Sequence, residues 1–149
     1  MADATNYDAL KLKNQLCFPL YAAAREVTRR YTPLLKALGL TYTQYIVMMV
    51  LWEKGTVTVG ALGKALYLDT GTLSPLLKSM EEKGLVTRAR AKDDERVVTV
   101  VITAQGEALK ERALAVPEAM KACLPLAPDE AAALYNALYK ILGGMDNGS

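Results

Sequence analysis

Apolar residues recur at intervals of three and four through the N-terminal third of the chain, which is the period of an amphipathic helix. A short helix is predicted over residues 8–16. A longer helix should begin near Phe18, because Pro19 is best tolerated in a first helical turn. It should run to about Leu38, where Gly39 ends it. The chain is therefore expected to open with helices rather than strands.

The longest apolar run, Ile46–Trp52, lies in the next predicted helix, which Thr41 or Thr43 should cap and which should end before Gly55. This run is far too short to span a bilayer. The N-terminus also lacks the basic stretch and apolar run of a signal peptide. We expect a cytoplasmic protein with no membrane partner.

Two helices joined by a tight turn are predicted in the middle of the chain. Thr58 should cap a helix over residues 59–66, and Tyr67 and Leu68 form the turn. Asp69 should then cap a longer helix over residues 70–83, which Gly84 ends. Two helices with so short a connection are typical of a helix-turn-helix.

A β-hairpin is predicted directly after this helix pair. Residues 85–91 and 97–102 have strand composition, and the polar turn 92–96 separates them. The order helix, turn, helix, hairpin predicts a winged helix-turn-helix.

The C-terminal part should again be helical. Thr103 should cap a helix that runs towards Cys123, with Pro117 interrupting it. A last helix is predicted over residues 129–142, where Gly143 and Gly144 end it and leave a frayed tail. The fold class is therefore mainly α with a small β-hairpin.

Composition narrows the chemistry. The chain has no histidine and only two cysteines, Cys17 and Cys123, so we expect no metal site and no cofactor. Residues 1–103 carry 14 basic and 10 acidic side chains, whereas residues 104–149 carry 4 and 6. The weakly basic front fits a DNA-facing part, although a solvated surface explains so small a bias as easily.

The helix after Asp69 has two different faces. At 100° per residue, Leu73, Leu76, Leu77 and Met80 fall on an apolar side, and small polar residues fall on the other. A small, hydroxyl-rich face can enter a major groove, although an ordinary surface helix would also have one. The residues expected to meet DNA are Thr70, Thr72, Ser74, Pro75 and Lys78 on the helix and Arg88 and Arg96 on the wing, where Asp94 gives support.

Two stretches of the chain resemble the MarR family of regulators, in particular its organic hydroperoxide sensors of the OhrR type. The resembling segments are Leu66–Lys78, Gly84–Val86 and Asp93–Arg96 for the recognition helix and wing, and Asn14–Tyr21, Tyr31 and Leu40–Tyr45 for the sensing part. Pro19 departs from the family pattern, and the C-terminal third matches only in outline.

This resemblance implies a homodimeric repressor, not an enzyme, that binds a palindromic double-stranded operator and leaves it when an organic hydroperoxide oxidises Cys17. Two half-sites one helical turn apart require such a two-fold dimer. The whole of residues 1–149 is then one MarR-type domain. About 41–103 form the winged helix-turn-helix, and about 5–40 and 104–144 form dimerisation helices.

Cys17 is the predicted sensor. Peroxide reacts with a thiolate, and a position next to the start of a helix favours the charged form of a thiol. The resemblance nominates Tyr21 and, from the other subunit, Tyr31 as hydrogen-bond donors to it, and Phe18 and Tyr42 as further pocket residues. A buried, inert cysteine is the alternative.

Cys123 has two interpretations. The resemblance implies a resolving thiol that forms an intersubunit disulfide with oxidised Cys17, and the simpler interpretation is packing in a dimer interface.

For the whole protein, three alternatives remain: a MarR-type repressor released by an anionic aromatic ligand, a thiol peroxidase and a protein-interaction module.

Overall fold

The computed structural model describes residues 6–146 and divides the chain into two compact units, Met1–Pro117 and Glu118–Ser149. The predicted fraying of the tail lies partly outside the described residues. The first unit includes the helix after the wing, which the sequence grouped with the dimerisation helices. The helices are α1 Cys17–Lys36, α2 Tyr42–Lys54, α3 Val59–Leu66, α4 Thr70–Glu82, α5 Ala104–Ala113, α6 Ala115–Cys123 and α7 Pro128–Asp146.

The segment before α1 corrects the first predicted helix. Residues 8–16 form two single 3-10 turns, Asp8–Leu10 and Leu12–Asn14, separated by the extended Lys11. The helix α1 then begins one residue earlier than predicted, so Cys17 is its first residue and Pro19 lies in its first turn. Exposed turns of this length have no packed face to stabilise a continuous helix, since most helical stability comes from tertiary packing.

The start of α2 settles the choice between its two candidate caps. The Thr41 side chain accepts a hydrogen bond from the Gln44 backbone N–H, and the Gln44 side chain accepts one from the Thr41 backbone N–H. This reciprocal pair is a capping box. Gly39 and Gly55 end α1 and α2 with φ of 71° and 72°, as glycine readily allows.

The helices α3 and α4 form the predicted helix-turn-helix. The side chains of Thr58 and Asp69 cap them, and Tyr67 makes the turn with φ of 57°. The turn packs closely on α3, because a Cβ on Gly63 would lie 2.7 Å from the carbonyl oxygen of Leu68. The distance explains why glycine occupies this position.

The wing belongs to a three-stranded antiparallel sheet rather than to an isolated hairpin. Strands β2 Val86–Arg90 and β3 Val98–Ile102 pair as predicted, and a third strand, β1 Thr56–Thr58, pairs with β3 to give the order β1-β3-β2. The sequence missed β1. Three residues are too few for a periodic pattern, and their partner lies more than forty positions away.

Two boundaries in the C-terminal part differ from the prediction. The break between α5 and α6 is at Leu114, and Pro117 is the third residue of α6, where a missing N–H costs no hydrogen bond. The last helix, α7, continues through Gly143 and Gly144. Neither glycine has the positive φ with which Gly39 ends a helix.

The core of the first unit lies between α2, α4 and the sheet, with the end of α1 packed on it. Its fully buried side chains are Leu35, Val47, Met48, Leu51, Leu62, Leu73, Leu77, Met80, Val86 and Val100. This core packs α4 against the sheet that carries the wing.

Candidate DNA-binding and redox-sensing sites

The helix α4 presents the two faces that its sequence predicts. Leu73, Leu77 and Met80 are buried and Leu76 is half-buried. The positions nominated for DNA, Thr70, Thr72, Ser74, Pro75 and Lys78, are all exposed, as is Gly71. The structure therefore leaves the five nominated helix residues on the exposed surface of α4, and their contact with DNA stays a prediction.

A charged cap holds the N-terminal end of that surface. The Thr72 backbone N–H donates to Oδ1 of Asp69 at 2.7 Å. The hydrogen bonds from Thr72, first from its backbone and then from its side chain, lower the pKa of Asp69 below its ordinary value. Asp69 is therefore an ionised cap at neutral pH, and its negative charge is also favourable next to the positive end of the helix dipole.

The wing tip is organised around Asp94. Its Oδ1 accepts from the backbone N–H of Arg96 at 3.0 Å and from Nε of Arg96 at 3.3 Å. On the adjoining strand, Arg90 donates through Nη1 to the Glu95 carbonyl at 2.8 Å. The Arg96 side chain is 92% exposed and is free to leave the wing surface. Asp94 thus has the geometry of the supporting residue that the sequence nominated.

Arg88 is not a free cation. Its backbone N–H donates to Oε2 of Glu81 at 3.0 Å, and its Nη2 lies 3.4 Å from Oε1 of the same carboxylate. Sequence reasoning missed Glu81. Its only local signal is its place in the last turn of α4, directly before a strand that carries an arginine. The pair ties the wing to the recognition helix.

Cys17 lies at the exposed start of α1, and Cys123 is the exposed last residue of α6. No side chain caps the start of α1, so the Cys17 end keeps first-turn amides that lack an intrahelical acceptor. Phe18 and Tyr21 are also largely exposed, and the Arg25 guanidinium lies 5.5 Å from the Tyr21 ring centroid. Cys17 is therefore not buried within its own chain, and its reactivity stays a prediction.

Tyr31 and Tyr42 belong to an aromatic cluster between α1 and α2. Their ring centroids are 4.9 Å apart, and Tyr45 lies 5.8 Å from Tyr31. Trp52 extends the cluster at 6.3 Å from Tyr45. Burial, and next the nearby Tyr42, raises the pKa of Tyr31, and burial does the same for Tyr45. Both phenols therefore stay protonated and able to donate. The sequence did not nominate Tyr45 for the sensor.

One chain does not assemble the predicted sensor pocket. Tyr31 follows Cys17 by fourteen positions on the same helix, which corresponds to about 21 Å at 1.5 Å per residue. Phe18 and Tyr21 stay near Cys17, whereas Tyr42 stays near Tyr31. The structure thus places the four nominated pocket residues in two separate groups on one chain.

Membrane spans and metal clusters are both absent from residues 6–146. Each helix in that range is either too short or too polar for a membrane span. Within the same range, no three cysteine or carboxylate side chains cluster closely enough to hold a metal ion.

Comparison with known proteins decides the family. Residues 29–113, more than half of the chain, match the family of transcriptional regulators described as SarA/Rot. The organic hydroperoxide resistance transcriptional regulator of Bacillus subtilis is 46% identical over 136 residues, which cover 91% of this chain and 92% of that protein. The chain belongs to the MarR-type transcriptional regulators. The regulator therefore comes from a family of transcription factors rather than of enzymes.

Solved structures agree with this assignment. Reduced AbfR bound to DNA matches the regulator with a TM-score of 0.76 and 37% identity, over 91% of this chain and 95% of that one. AbfR is a protein of Staphylococcus epidermidis, and its structure has also been determined with a disulfide formed. A mutant of MarR from E. coli in complex with operator DNA matches with a TM-score of 0.79 and 26% identity, over 93% and 99% of the two chains.

Proposed function

We propose that this regulator is a homodimeric repressor that binds a palindromic operator and is released when an organic hydroperoxide oxidises Cys17. The observation that carries the proposal is the exposed Cys17 at the start of α1. It is combined with the phenols of Tyr31 and Tyr45, which stay protonated and cluster beyond the middle of α1. The name of the Bacillus subtilis relative, an organic hydroperoxide resistance regulator, supports the choice of inducer.

A second subunit completes the pocket. Tyr31 lies about 21 Å along α1 from Cys17 of its own chain, and Tyr42 of α2 packs on Tyr31. Both phenols therefore serve the thiol of the partner. Both ends of the chain leave large apolar side chains exposed, as an interface between copies requires. They are Leu10, Leu12, Leu16, Phe18 and Leu20 near α1, and Leu124, Leu126, Leu134, Tyr135, Tyr139 and Ile141 near α7.

The chemistry begins with the Cys17 thiolate. Its sulfur attacks the outer oxygen of the hydroperoxide, which keeps its hydrogen, and the O–O bond breaks. The alkoxide that leaves takes a proton from water and becomes the alcohol. Cys17 is oxidised to a sulfenic acid and the peroxide is reduced. The thiol of Cys123 from the partner then attacks this sulfur, a disulfide forms, and water leaves. AbfR, a related protein of this fold, has been solved with a disulfide formed, which supports this step.

On DNA, the exposed surface of α4 enters the major groove and Arg96 enters the neighbouring minor groove. Arg96→Ala should weaken operator binding by about ten-fold while the melting temperature stays unchanged, because the side chain is 92% exposed and its ion pair with Asp94 lies at the surface. A monomer in sedimentation at micromolar concentration would contradict the dimeric arrangement.

The decisive experiment is operator release followed by fluorescence anisotropy before and after one equivalent of cumene hydroperoxide. Wild type should dissociate and Cys17→Ser should stay bound. Release of Cys17→Ser by the same peroxide would refute Cys17 as the sensor.

A groove next to Tyr42 favours one second candidate, a repressor released by an anionic aromatic ligand. Its volume is about 320 Å³, and Lys36 supplies a cation beside the phenol. That size suits a single-ring ligand. Release by a benzoate-type anion, undiminished in Cys17→Ser, would support this candidate over peroxide sensing.

A further inference from the structure

Gln44 is the only polar side chain buried in the described part of the chain, at 4% exposure. Its Oε1 accepts from the Thr41 backbone N–H at 3.1 Å and from Nζ of Lys83 at 2.8 Å. Its Nε2 donates to Oγ of Ser79 at 3.2 Å. Thr41 caps α2, whereas Ser79 and Lys83 lie at the end of α4, so one amide joins the two helices.

Lys83 extends this junction to a third helix. Its Nζ also donates to the Gly39 carbonyl at 2.8 Å, directly after the end of α1. The end of α1, the start of α2 and the end of α4 therefore meet at a single set of hydrogen bonds. We name Gln44, Ser79 and Lys83 the Gln44 clamp.

The clamp and the tyrosine cluster share the first turn of α2. Tyr42, two positions before Gln44, and Tyr45, directly after it, pack on Tyr31, while Gln44 itself faces α4. Adjacent residues of a helix point in different directions. A shift or rotation of this turn that follows the tyrosines therefore also moves Gln44.

The buried hydrogen bonds of the Gln44 clamp should hold α2 and α4 in one relative position. A buried amide whose partners are all satisfied holds one geometry, because each lost hydrogen bond leaves a costly unpaired group. No buried side-chain nitrogen or oxygen lacks a partner in the described residues. The α4 helix thus has to follow α2 rather than slide past it.

We propose that Gln44 is a positioning residue that sets the recognition helix against α1 and α2 and transmits movement of the tyrosine cluster to α4. The role rests on the proposed peroxide response. Gln44 touches neither DNA nor peroxide, and it acts through Ser79 and Lys83.

The test uses full-length dimeric protein and the duplex that wild type selects from a random-sequence pool. The readout is the ratio of operator Kd after and before cumene hydroperoxide, together with the rate at which the Cys17 thiol disappears. Gln44→Met, which removes every hydrogen bond of the Gln44 side chain, should cut this ratio by about ten-fold or more. The rate of thiol loss should match wild type, because the variant leaves the sensing end intact.

Gln44→Glu should restore the ratio. A carboxylate still accepts from Lys83 and Thr41, and the Ser79 hydroxyl can turn to donate. Lys83→Met, which alters an exposed side chain, should reduce the ratio even if Gln44→Met does not fold. Lys110→Met is the matched control, because Nζ of Lys110 donates to the Trp52 carbonyl at the far end of α2 and does not reach the clamp.

The outcomes separate the two proposals. A wild type that stays bound after oxidation refutes the peroxide response, and transmission through Gln44 falls with it. A wild type that dissociates, with folded Gln44→Met or Lys83→Met variants that dissociate to the same extent, overturns the positioning role alone.

Discussion

The carboxylate of Glu81, in the last turn of the recognition helix, holds Arg88 of the wing by both its backbone and its side chain. The backbone N–H of Arg88 lies 3.0 Å from Oε2, and its Nη2 lies 3.4 Å from Oε1. This residue pair therefore adds a direct polar link between the wing and the recognition helix, beside the core that packs α4 on the sheet. A phosphate that binds Arg88 has to share the guanidinium with Glu81.

Arg88→Ala should weaken binding about uniformly across DNA sequences and reduce the slope of log K against log salt by about 1, as expected for one lost phosphate contact. The measurement is anisotropy titration over a range of salt concentrations. Lys54→Ala, which removes an exposed cation at the end of α2, is the control and should leave the slope unchanged. An unchanged slope for Arg88→Ala would show that Arg88 only braces the wing.

The Asp69 cap should make the stability of α4 depend on pH. The pKa of Asp69 is lowered from 3.8 in the folded protein by its hydrogen bonds from Thr72. The stability that the ionised cap contributes is therefore fully present above pH 3.8, and it is lost as pH falls through the lower pKa of the folded protein. Asp69→Ala should lower the melting temperature at neutral pH, and its difference from wild type should shrink in acid.

Asp69→Asn separates charge from hydrogen bonding, because asparagine is also a good N-cap. Its melting temperature at neutral pH should lie between those of wild type and Asp69→Ala. A difference between wild type and Asp69→Ala that stays constant down to the lowest pH measured would argue against an ionised cap.

Gly106 marks the closest approach between α5 and the wing. A Cβ there would collide with the Leu85 carbonyl oxygen and lie 2.9 Å from Cγ1 of Ile102. Gly106→Ala should therefore destabilise the fold by about 1–3 kcal/mol, the usual range for overpacking. Urea denaturation measures this change in the free energy of unfolding.

Gly60 supplies the matched control within α3. A Cβ at Gly60 meets nothing within 4 Å, so Gly60→Ala should be neutral or stabilise by up to about 1 kcal/mol through helix propensity. Equal effects of the two substitutions would mean that the close approach at Gly106 is relieved at little cost.

The helix caps were predictable from sequence, because their signals are local. Thr58, Asp69 and Thr103 each precede a helix and each accepts a hydrogen bond from the residue three positions on. The strand β1 was not predictable, since residues 56–58 become a strand only by pairing with β3. The break at Leu114 was not predictable either, because no glycine or proline at that position indicates the end of a helix.

The site was predictable to a similar degree. Resemblance placed Tyr31 and Tyr42 in one pocket, and the structure brings their rings together. Glu81 has only its place in the last turn of α4 as a signal, and Gln44 has only its capping-box spacing from Thr41. Neither signal predicts the contacts with Arg88 and Lys83, which only the folded chain makes. Neither contact repeats at helical spacing, so periodicity could not reveal it.

Cys123 provides the sharpest prediction about oxidation. Both thiols are free and exposed, so neither is sealed in a core. A sulfenic acid at Cys17 drifts to irreversible forms unless a second thiol condenses with it. The Cys123 thiol ends α6, before a segment in which Pro125 and Pro128 follow closely and prevent a continuous helix into α7. We expect an intersubunit Cys17–Cys123 disulfide after treatment with peroxide.

A non-reducing gel decides between this role and simple packing in an interface. Wild type treated with one equivalent of cumene hydroperoxide should run as a covalent dimer, and reductant should return it to the monomer. Cys17→Ser and Cys123→Ser should each run as monomers, because either change removes one sulfur of the bond.

A disulfide also needs the two Cα atoms within about 7 Å. If formation requires the subunits to move to that distance, oxidation of Cys123→Ser should release DNA less completely than oxidation of wild type. A wild type that stays monomeric on the gel but still leaves the operator would show that the sulfenic acid of Cys17 suffices and that Cys123 is not a resolving thiol.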